Sequence, residues 1–152
     1  MKNIWSVIFT RAIVDGSTNS LILLDCVEEV TVNFVNAEDI NKSKKNIPIN
    51  FAIVSLWGDK DISKNRKFDH LIELIDPQGK KINEFLNTPI FEEGKKRLRT
   101  IVQMDGMGIT SEGEYIIVVK YKMDSDKFII ASRIPVDIKF VLNTPLPKIK
   151  SE

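Results

Sequence analysis

The chain of 152 residues is long enough for one domain with one hydrophobic core and too short for two. Hydrophobic residues make up 43% of the chain and charged residues 28%, which excludes an intrinsically disordered protein and a chain built mainly of membrane spans. Lysine and arginine together number 22, and aspartate and glutamate 21, so the net charge of +1 argues against a protein that binds nucleic acid through its overall charge.

The choice of apolar residues favours β-structure. Isoleucine and valine together occur 34 times, whereas leucine and alanine together occur 14 times. Branched side chains at Cβ pack well on a pleated sheet, and alanine and leucine lead the helix scale. The composition therefore predicts a mostly β protein.

Eight segments rich in β-branched and aromatic residues are predicted as strands, with turn signals at intervals of roughly 8 to 12 residues. In chain order they are A (Ile4–Val14), B (Ser20–Val32), C (Ile47–Trp57), D (Phe68–Ile75), E (Lys80–Leu86), F (Arg97–Met104), G (Glu114–Met123) and H (Lys127–Phe140). The polar segment Asp15–Asn19 predicts a hairpin turn, and Asp76–Gly79, with proline second and glycine fourth, predicts a β-turn. Ala37–Lys45 has too few apolar residues for more than a turn or two of helix, and Asp105–Gly113, with three glycines, is predicted as a loop.

This order of elements predicts an all-β fold. We expect a single antiparallel β-sandwich of about eight strands, of the immunoglobulin-like or jelly-roll type, with little helix; a β-barrel is the alternative. The sandwich is expected to span residues 1–142. Residues 143–152, which include Pro145 and Pro147, are expected to form a flexible C-terminal tail.

Four motifs follow one another along the chain. They are the leucine-rich run Ser20–Leu24, the pair Trp57-Gly58, the turn Asp76–Gly79 after Leu74-Ile75, and Glu112-Gly113-Glu114-Tyr115 at a strand start. In this order they resemble an uncharacterised family of small bacterial β-sandwich proteins, a domain of unknown function. Asp25 stands where the leucine-rich run of that family tends to end in glycine. The resemblance spans most of the chain and implies the sandwich fold, and it brings no catalytic residues with it.

The N-terminal segment and the cysteine content bear on the compartment. Cys26 is the only cysteine, so an internal disulfide is excluded, as is usual in a reducing cytosol. Ser6, Thr10 and Arg11 interrupt the first apolar run, which is therefore predicted to be neither a signal peptide nor a membrane anchor. The sequence predicts a cytoplasmic protein without a membrane partner.

Catalysis by a Cys–His pair or a Ser–His–Asp triad would have to use His70, the only histidine. His70 alternates with Phe68, Ile72 and Leu74 in strand D and is predicted to be a neutral, hydrogen-bonded core residue. Cys26 shares a face with two apolar residues of strand B and is predicted to be a buried small hydrophobic residue. Neither a catalytic constellation nor a cofactor is predicted.

Two Asp-x-Asp motifs are predicted at one end of the sandwich, because alternating strand directions place alternate loops together. Asp59, Asp61, Asp124 and Asp126 could then offer the hard oxygen ligands that Ca²⁺ prefers. Lysines and arginines at the same end oppose a divalent cation and can pair with the carboxylates instead. Solvated loop charges are the preferred interpretation, and a Ca²⁺ site is the alternative.

The predicted loop at Asp105–Gly113 is the candidate for a protein contact. It presents Met107 and Ile109 between Gly106 and Gly108, and flexible methionine-containing surface is used at protein interfaces. The competing interpretation is that the two apolar side chains fold back and cap the core. The basic residues Lys95, Lys96, Arg97 and Arg99 have no interleaved aromatic residues and are predicted to form a solvated strand edge.

These observations predict a non-enzymatic accessory protein of a bacterial or phage system that acts through protein contacts or homo-oligomerisation. The alternative is a small-ligand, carbohydrate or Ca²⁺-binding module, or a minimal enzyme, that uses the acidic loop end. Sugar platforms need exposed tryptophan or tyrosine. Core packing is the simpler expectation for the aromatic residues, all of which fall on predicted strands: Trp5, Trp57, Tyr115 and Tyr121.

Overall fold

A computed structural model describes residues 1–40, 45–124 and 126–143. Within them the chain is nearly all β, with eleven strands and one four-residue helix, α1 (Ala37–Ile40). The strands are β1 (Lys2–Val14), β2 (Leu21–Cys26), β3 (Glu29–Phe34), β4 (Lys45–Gly58), β5 (Arg66–Lys67), β6 (Asp69–Ile75), β7 (Lys81–Asn87), β8 (Ile90–Phe91), β9 (Arg97–Ile109), β10 (Gly113–Lys122) and β11 (Ile129–Leu142). Residues 41–44 of the helical candidate, Ser125 of the second Asp-x-Asp motif and residues 144–152 of the predicted tail lie outside the described residues.

The prediction of all-β structure with little helix is confirmed for the described residues, whereas the prediction of eight strands is wrong. Predicted strand B divides into β2 and β3, and the short strands β5 and β8 arise in segments predicted as loops. Strands of two residues carry no readable alternation of apolar and polar side chains. Only their pairing, Arg66 with Phe91 and Lys67 with Ile90, defines them.

The strands form two large sheets and one small sheet. The first has the order β2-β1-β4-β9, the second β3-β11-β10-β6-β7, and the third pairs β5 with β8. Most neighbours are antiparallel, but β3 runs parallel to β11, from Glu29 opposite Asp137 to Phe34 opposite Leu142. The prediction of a wholly antiparallel arrangement is therefore wrong for this pair.

The chain passes from the first sheet to the second between β2 and β3. Asp25 has a φ of +51°, in the left-handed region that aspartate tolerates better than most residues. The amide of Val27 donates to the carbonyl of Ile8 in the first sheet, at 3.1 Å. The carbonyl of the next residue, Glu28, accepts the amide of Asp137 in the second sheet, at 2.9 Å. One apolar run in the sequence therefore serves two sheets.

One hydrophobic core receives side chains from both large sheets. Ile8, Ile53, Trp57 and Val102 come from the first sheet, and Ile72, Leu74, Ile117, Val119 and Ile138 from the second. Trp57 is fully buried and its indole N–H donates to the hydroxyl of Thr100 at 3.0 Å. A buried indole needs such a partner, which the neighbouring strand supplies.

Strand β9 is longer than predicted, so the loop predicted over Asp105–Gly113 is wrong for residues 105–109 and is confined to residues 110–112. Pairing with β4 continues from Met104 opposite Phe51 to Ile109 opposite Lys45. The register shifts between Ile47 and Asn50 of β4, and Gly106 on the opposing strand has a φ of +90°, a conformation that glycine adopts without strain. The glycine accommodates an irregularity in a strand and does not mark a loop.

The β-turn predicted at Asp76–Gly79 is confirmed. The amide of Gly79 donates to the carbonyl of Asp76 at 2.9 Å, and Gly79 has a φ of +81°. The Asp76 carboxylate accepts the amides of Gln78 at 3.0 Å and Lys80 at 2.8 Å. In the described part of the chain no helix has the length and apolarity that crossing a bilayer requires.

Candidate functional site

The residues predicted to contact a partner are inside the protein. Met107 is 2% exposed and Ile109 is 0% exposed, and both belong to the hydrophobic core. The prediction that they are exposed is wrong, because β9 continues through Gly106 and Gly108. The irregularity at Gly106 shifts the alternation, so that the buried positions pass from Thr100 and Val102 to Met107 and Ile109. The segment therefore contributes to the core and offers no contact surface.

The acidic end of the fold is organised around an arginine. The guanidinium of Arg66 lies 2.8 Å from Asp59, 3.7 Å from Asp61 and 3.2 Å from Asp124. The structure thus brings together three of the four carboxylates predicted at this end, and a cation of the chain already lies between them. Asp126 is exposed and forms no hydrogen bond or ion pair within the described part of the chain.

Two of these carboxylates, Asp59 and Asp61, are also held by their own loop, and Asp59 accepts a hydrogen bond from the amide of Asp61 at 3.3 Å. Asp61 accepts hydrogen bonds from the hydroxyl of Ser63 at 2.7 Å and from its amide at 3.2 Å, and these bonds lower the pKa of Asp61, with a smaller contribution from Arg66. The side chain of Asp59 is 3% exposed, and two cations compensate its charge: Arg66 and the N-terminal ammonium of Met1, which lies 3.4 Å away. In the described residues, no three histidine, cysteine, aspartate or glutamate side chains are grouped so as to hold a metal ion.

We expect that millimolar Ca²⁺ leaves the melting temperature of the protein unchanged. A ligand stabilises the fold by RT ln(1 + [L]/Kd), and displacement of Arg66 from Asp59 would raise Kd above the added concentration. Differential scanning fluorimetry with and without CaCl₂ measures the shift, with MgCl₂ as the control. An upward shift that Asp124→Asn abolishes would contradict this prediction.

His70 is buried and neutral, as the sequence predicts. Its Nδ1 lies 3.0 Å from Oδ1 of Asn87, directly opposite on β7, and its ring packs edge-on against Trp57 with centroids 5.3 Å apart. Burial lowers the pKa of His70 from 6.5 to about 4, although the Asn87 hydrogen bond opposes this effect. Nε2 is buried without a hydrogen-bond partner among the described residues, which suits an unprotonated nitrogen.

The prediction that Cys26 is buried is wrong: its side chain is exposed. Cys26 ends β2, which is an edge strand of the first sheet, and it lies opposite Phe9. The apolar residues that share its face in the sequence, Ile22 and Leu24, are exposed as well. Cys26, Ile22 and Leu24 therefore do share one face of β2, as predicted, but this face points to solvent and not to the core.

A two-stranded arm adjoins the exposed cysteine. Strand β4 pairs with β1 only from Lys2 to Phe9, so residues 11–14 of β1 and 21–24 of β2 continue without a third strand. We call these eight residues the arm. On one face of the arm Ala12, Leu21 and Leu23 are half-buried and Val14 is 42% exposed. The other face carries Ile13, Ile22 and Leu24, which are 40%, 49% and 41% exposed, together with the exposed Arg11.

The turn at the end of the arm lies over the first sheet. Trp5, Leu56 and Arg99 are opposite one another on β1, β4 and β9, so they share the face that points away from the core. The guanidinium of Arg99 donates to the carbonyl of Asn19, in the turn of the arm, at 3.3 Å. The half-buried face of the arm is thus turned toward the sheet and the exposed face toward solvent.

Strand β2 carries a single charged residue, Asp25, next to its C-terminal end, and the rest of the strand is uncharged. The outer strands β3, β7 and β9 each carry charged residues, among them Glu29, Lys81, Glu84, Arg97 and Arg99. Charges on an edge strand discourage pairing with other chains. Residues Leu21–Leu24 of β2 are four uncharged apolar residues in succession at an edge. Protection by charge is therefore confined to Asp25, and the stretch Leu21–Leu24 of this edge has none.

Two grooves that share Arg97 open at the start of β9. The first, of about 440 Å³, has the apolar residues Val14, Leu56 and Ile101 beside Arg97 and Arg99. The second, of about 640 Å³, is lined by Lys2, Lys60, Lys96 and Arg97 together with the buried Asp59. Of the basic residues predicted at a strand edge, Arg97 and Arg99 lie on the outer strand β9, whereas Lys95 and Lys96 precede it. All four also line the two grooves.

The four consecutive apolar residues Leu21–Leu24 are a signal for the arm in the sequence, but their alternation does not show whether they lie in the core or at an edge. Four consecutive apolar residues occupy both faces of a strand, which occurs either at the centre of a covered sheet or at an edge that pairs with another chain. Sequence periodicity cannot distinguish the two. The grooves had no comparable signal, because the turn of the arm and β9 are about 80 positions apart in the chain.

Comparison with known proteins finds no family model and no curated protein that matches this chain.

Proposed function

We propose that this protein is a non-enzymatic interaction module built on a β-sandwich, and that it assembles with a second copy of itself through the arm. The two large sheets and their shared core support a sandwich of the immunoglobulin-like or jelly-roll type. A homo-oligomer also agrees with the uncharged stretch Leu21–Leu24 at this edge, since a symmetric contact brings identical surfaces together.

The uncharged stretch Leu21–Leu24 at the edge of the first sheet is the observation that carries this proposal. Leu21–Leu24 pair with β1 on one side, and β2 is the outer strand of its sheet. Backbone N–H and C=O groups at such an edge are a template for another strand. The exposed Ile22 and Leu24 add apolar surface that a paired strand would partly cover.

A second copy fits this edge better than a charged partner strand does. Antiparallel pairing of β2 with β2 places leucine and isoleucine against leucine and isoleucine, with no charge opposite another within residues 21–24. A two-stranded arm is marginally stable by itself. Pairing of two arms gives four adjacent strands. Each arm is then hydrogen-bonded to a third strand, which β4 does not provide because it pairs with β1 only as far as Phe9.

The environment of the only histidine supports a non-enzymatic role. His70 is fully buried among Trp57 and Phe68 and stays neutral near pH 7. Cys26 lies on the outer strand of the other large sheet. Neither side chain is placed to act on a substrate together with the other.

Exchange of Ile22 and Leu24 for lysine is expected to convert a dimer into a monomer. The two lysines place charge on both copies at the paired edge, where like charges repel and apolar contact is lost. Size-exclusion chromatography with multi-angle light scattering should give about twice the 17.3 kDa chain mass for the native protein and the chain mass for the variant. The melting temperature of the variant should fall only by the amount that association stabilises the native protein.

The matched control is Ile130→Lys with Val141→Lys. These residues of β11 are 48% and 41% exposed, close to the 49% and 41% of the arm residues, and lie on the second sheet. The control should keep the native mass. A monomeric native protein, or equal masses for the two double variants, would contradict assembly through the arm.

A further inference from the structure

We infer that the two grooves sharing Arg97 bind an acidic, partly apolar segment of a partner protein. This site does not depend on the self-association proposed above, because the arm contributes only Val14 to the first groove, and Val14 lies on the face opposite Ile22 and Leu24. Two arginines, Arg97 and Arg99, supply the charge that would select the segment, and the apolar wall of the first groove supplies the surface on which it rests.

Arg97 is held in position between the two grooves. One guanidinium nitrogen, Nη1, donates to the carbonyl of Lys96 at 2.9 Å. The same nitrogen passes over Gly58, where a Cβ atom would lie 3.2 Å from it, so the glycine leaves the room that the guanidinium occupies. The remaining N–H groups of Arg97 form no ion pair with any carboxylate of the described residues. They are therefore available to a ligand anion.

Arg99 is held in a similar way two residues further along β9. Its Nη2 donates to the carbonyl of Asn19, and its guanidinium likewise forms no ion pair within the described part of the chain. Residues two apart in a strand project from the same face, so the two guanidinium groups form a short row. A fixed guanidinium loses less entropy on binding a carboxylate than a mobile one does.

The charge of the grooves is strongly positive although the chain as a whole carries only +1. The basic side chains that line them are Lys2, Lys60, Lys95, Lys96, Arg97 and Arg99. Their acidic neighbours are already engaged, since Asp59 binds Arg66 at 2.8 Å and Glu92 lies 3.8 Å from Lys95. An acidic ligand therefore meets a local excess of positive charge.

The lining also decides between a nucleic acid and a protein segment. None of the residues that line either groove is aromatic, and proteins that bind single strands stack bases on aromatic rings. Val14, Leu56 and Ile101 instead offer aliphatic surface to aliphatic side chains. A segment in which acidic residues alternate with leucine or isoleucine matches both the arginines and the aliphatic wall. Its carboxylates can accept bidentate hydrogen bonds from the arginines.

The test measures binding of a fluorescein-labelled peptide in which glutamate and leucine alternate, by fluorescence anisotropy. We expect the native protein to bind it and added NaCl to weaken it, because these charges are solvent-accessible. Arg97→Gln with Arg99→Gln should raise Kd about tenfold or more, since two charge-assisted contacts are lost. Lys80→Gln with Arg133→Gln is the control, because it removes the same charge from exposed residues outside the grooves.

A tenfold loss in the arginine variant with no loss in the control supports the site. Equal losses in both variants, equal binding of a peptide with glutamine in place of glutamate, or no binding by the native protein would each overturn it. Tighter binding of an oligothymidylate through the same arginines would overturn the assignment to a protein segment. The variant with Lys60→Gln and Lys96→Gln should also bind the peptide more weakly than the native protein. Both lysines are exposed, so this variant tests the site even if the arginine variant does not fold.

The same titration separates this site from the arm. The variant with Ile22→Lys and Leu24→Lys should bind the peptide with the native Kd, even if its mass changes. Loss of peptide binding in that variant would show that the grooves exist only in the assembled protein, and it would overturn their independence.

Discussion

Exchange of Met107 and Ile109 together for aspartate is expected to unfold the protein. Both side chains are buried in the core between β4 and the second sheet, with exposures of 2% and 0%. Each substitution removes about 1.5 to 3 kcal/mol of apolar burial and places a carboxylate where it has no partner, which costs several kcal/mol more. The sum is comparable to the whole stability of a typical domain, about 5 to 15 kcal/mol.

Circular dichroism and urea denaturation measure this effect. The matched comparison is Ile22→Asp with Leu24→Asp, which introduces the same two charges on an exposed face of the arm. That variant should retain the native β spectrum. A folded variant at positions 107 and 109 with a nearly native melting temperature would show that this segment is surface, as the glycine-rich sequence suggests.

Acidification is expected to weaken the fold through His70. The pKa of His70 is about 4 in the folded protein and about 6.5 when unfolded, so the unfolded state binds the proton first as the pH falls. The stabilising effect of the neutral imidazole is complete above pH 6.5, declines as the pH falls from 6.5 to 4, and is lost below that range. The shift corresponds to about 3 kcal/mol, as an order of magnitude.

The variant His70→Gln isolates this contribution, because the chain has only one histidine. Glutamine can keep a polar contact with Asn87 and does not titrate in this range. Free energies of unfolding from urea titrations at pH 7 and pH 4.5 should differ more for the native protein than for the variant. Equal pH dependence in the two proteins would show that His70 is already protonated or hydrated in the folded state.

Several elements were predictable because their signals are local. The turn at Asp76–Gly79 forms as the positions of proline and glycine predict, and His70 is buried because its neighbours at alternate positions are apolar. The acidic end was also predicted in part, since alternating strand directions do bring Asp59 and Asp124 to the same arginine. These features depend on residues within a few positions or on the order of strands.

The errors share a different cause. Gly106 and Gly108 look like loop residues, yet pairing with β4 extends the strand through them and buries Met107. Cys26 looks like a core residue because it alternates with Ile22, yet β2 lies at an edge and its face is open. In each case the local pattern was consistent with two environments, and a partner strand distant in the sequence decided between them.

The sequence by itself determined the all-β class, most strand positions and the neutral core histidine, because side-chain alternation and turn chemistry act over a few residues. Only the tertiary structure decided which strands are edges, how β2 and β3 divide one apolar run between two sheets, and where the arm meets Arg99. Burial of an apolar face depends on what packs against it. That depends on pairings such as β3 with β11, about 108 residues apart, whose register no local pattern specifies.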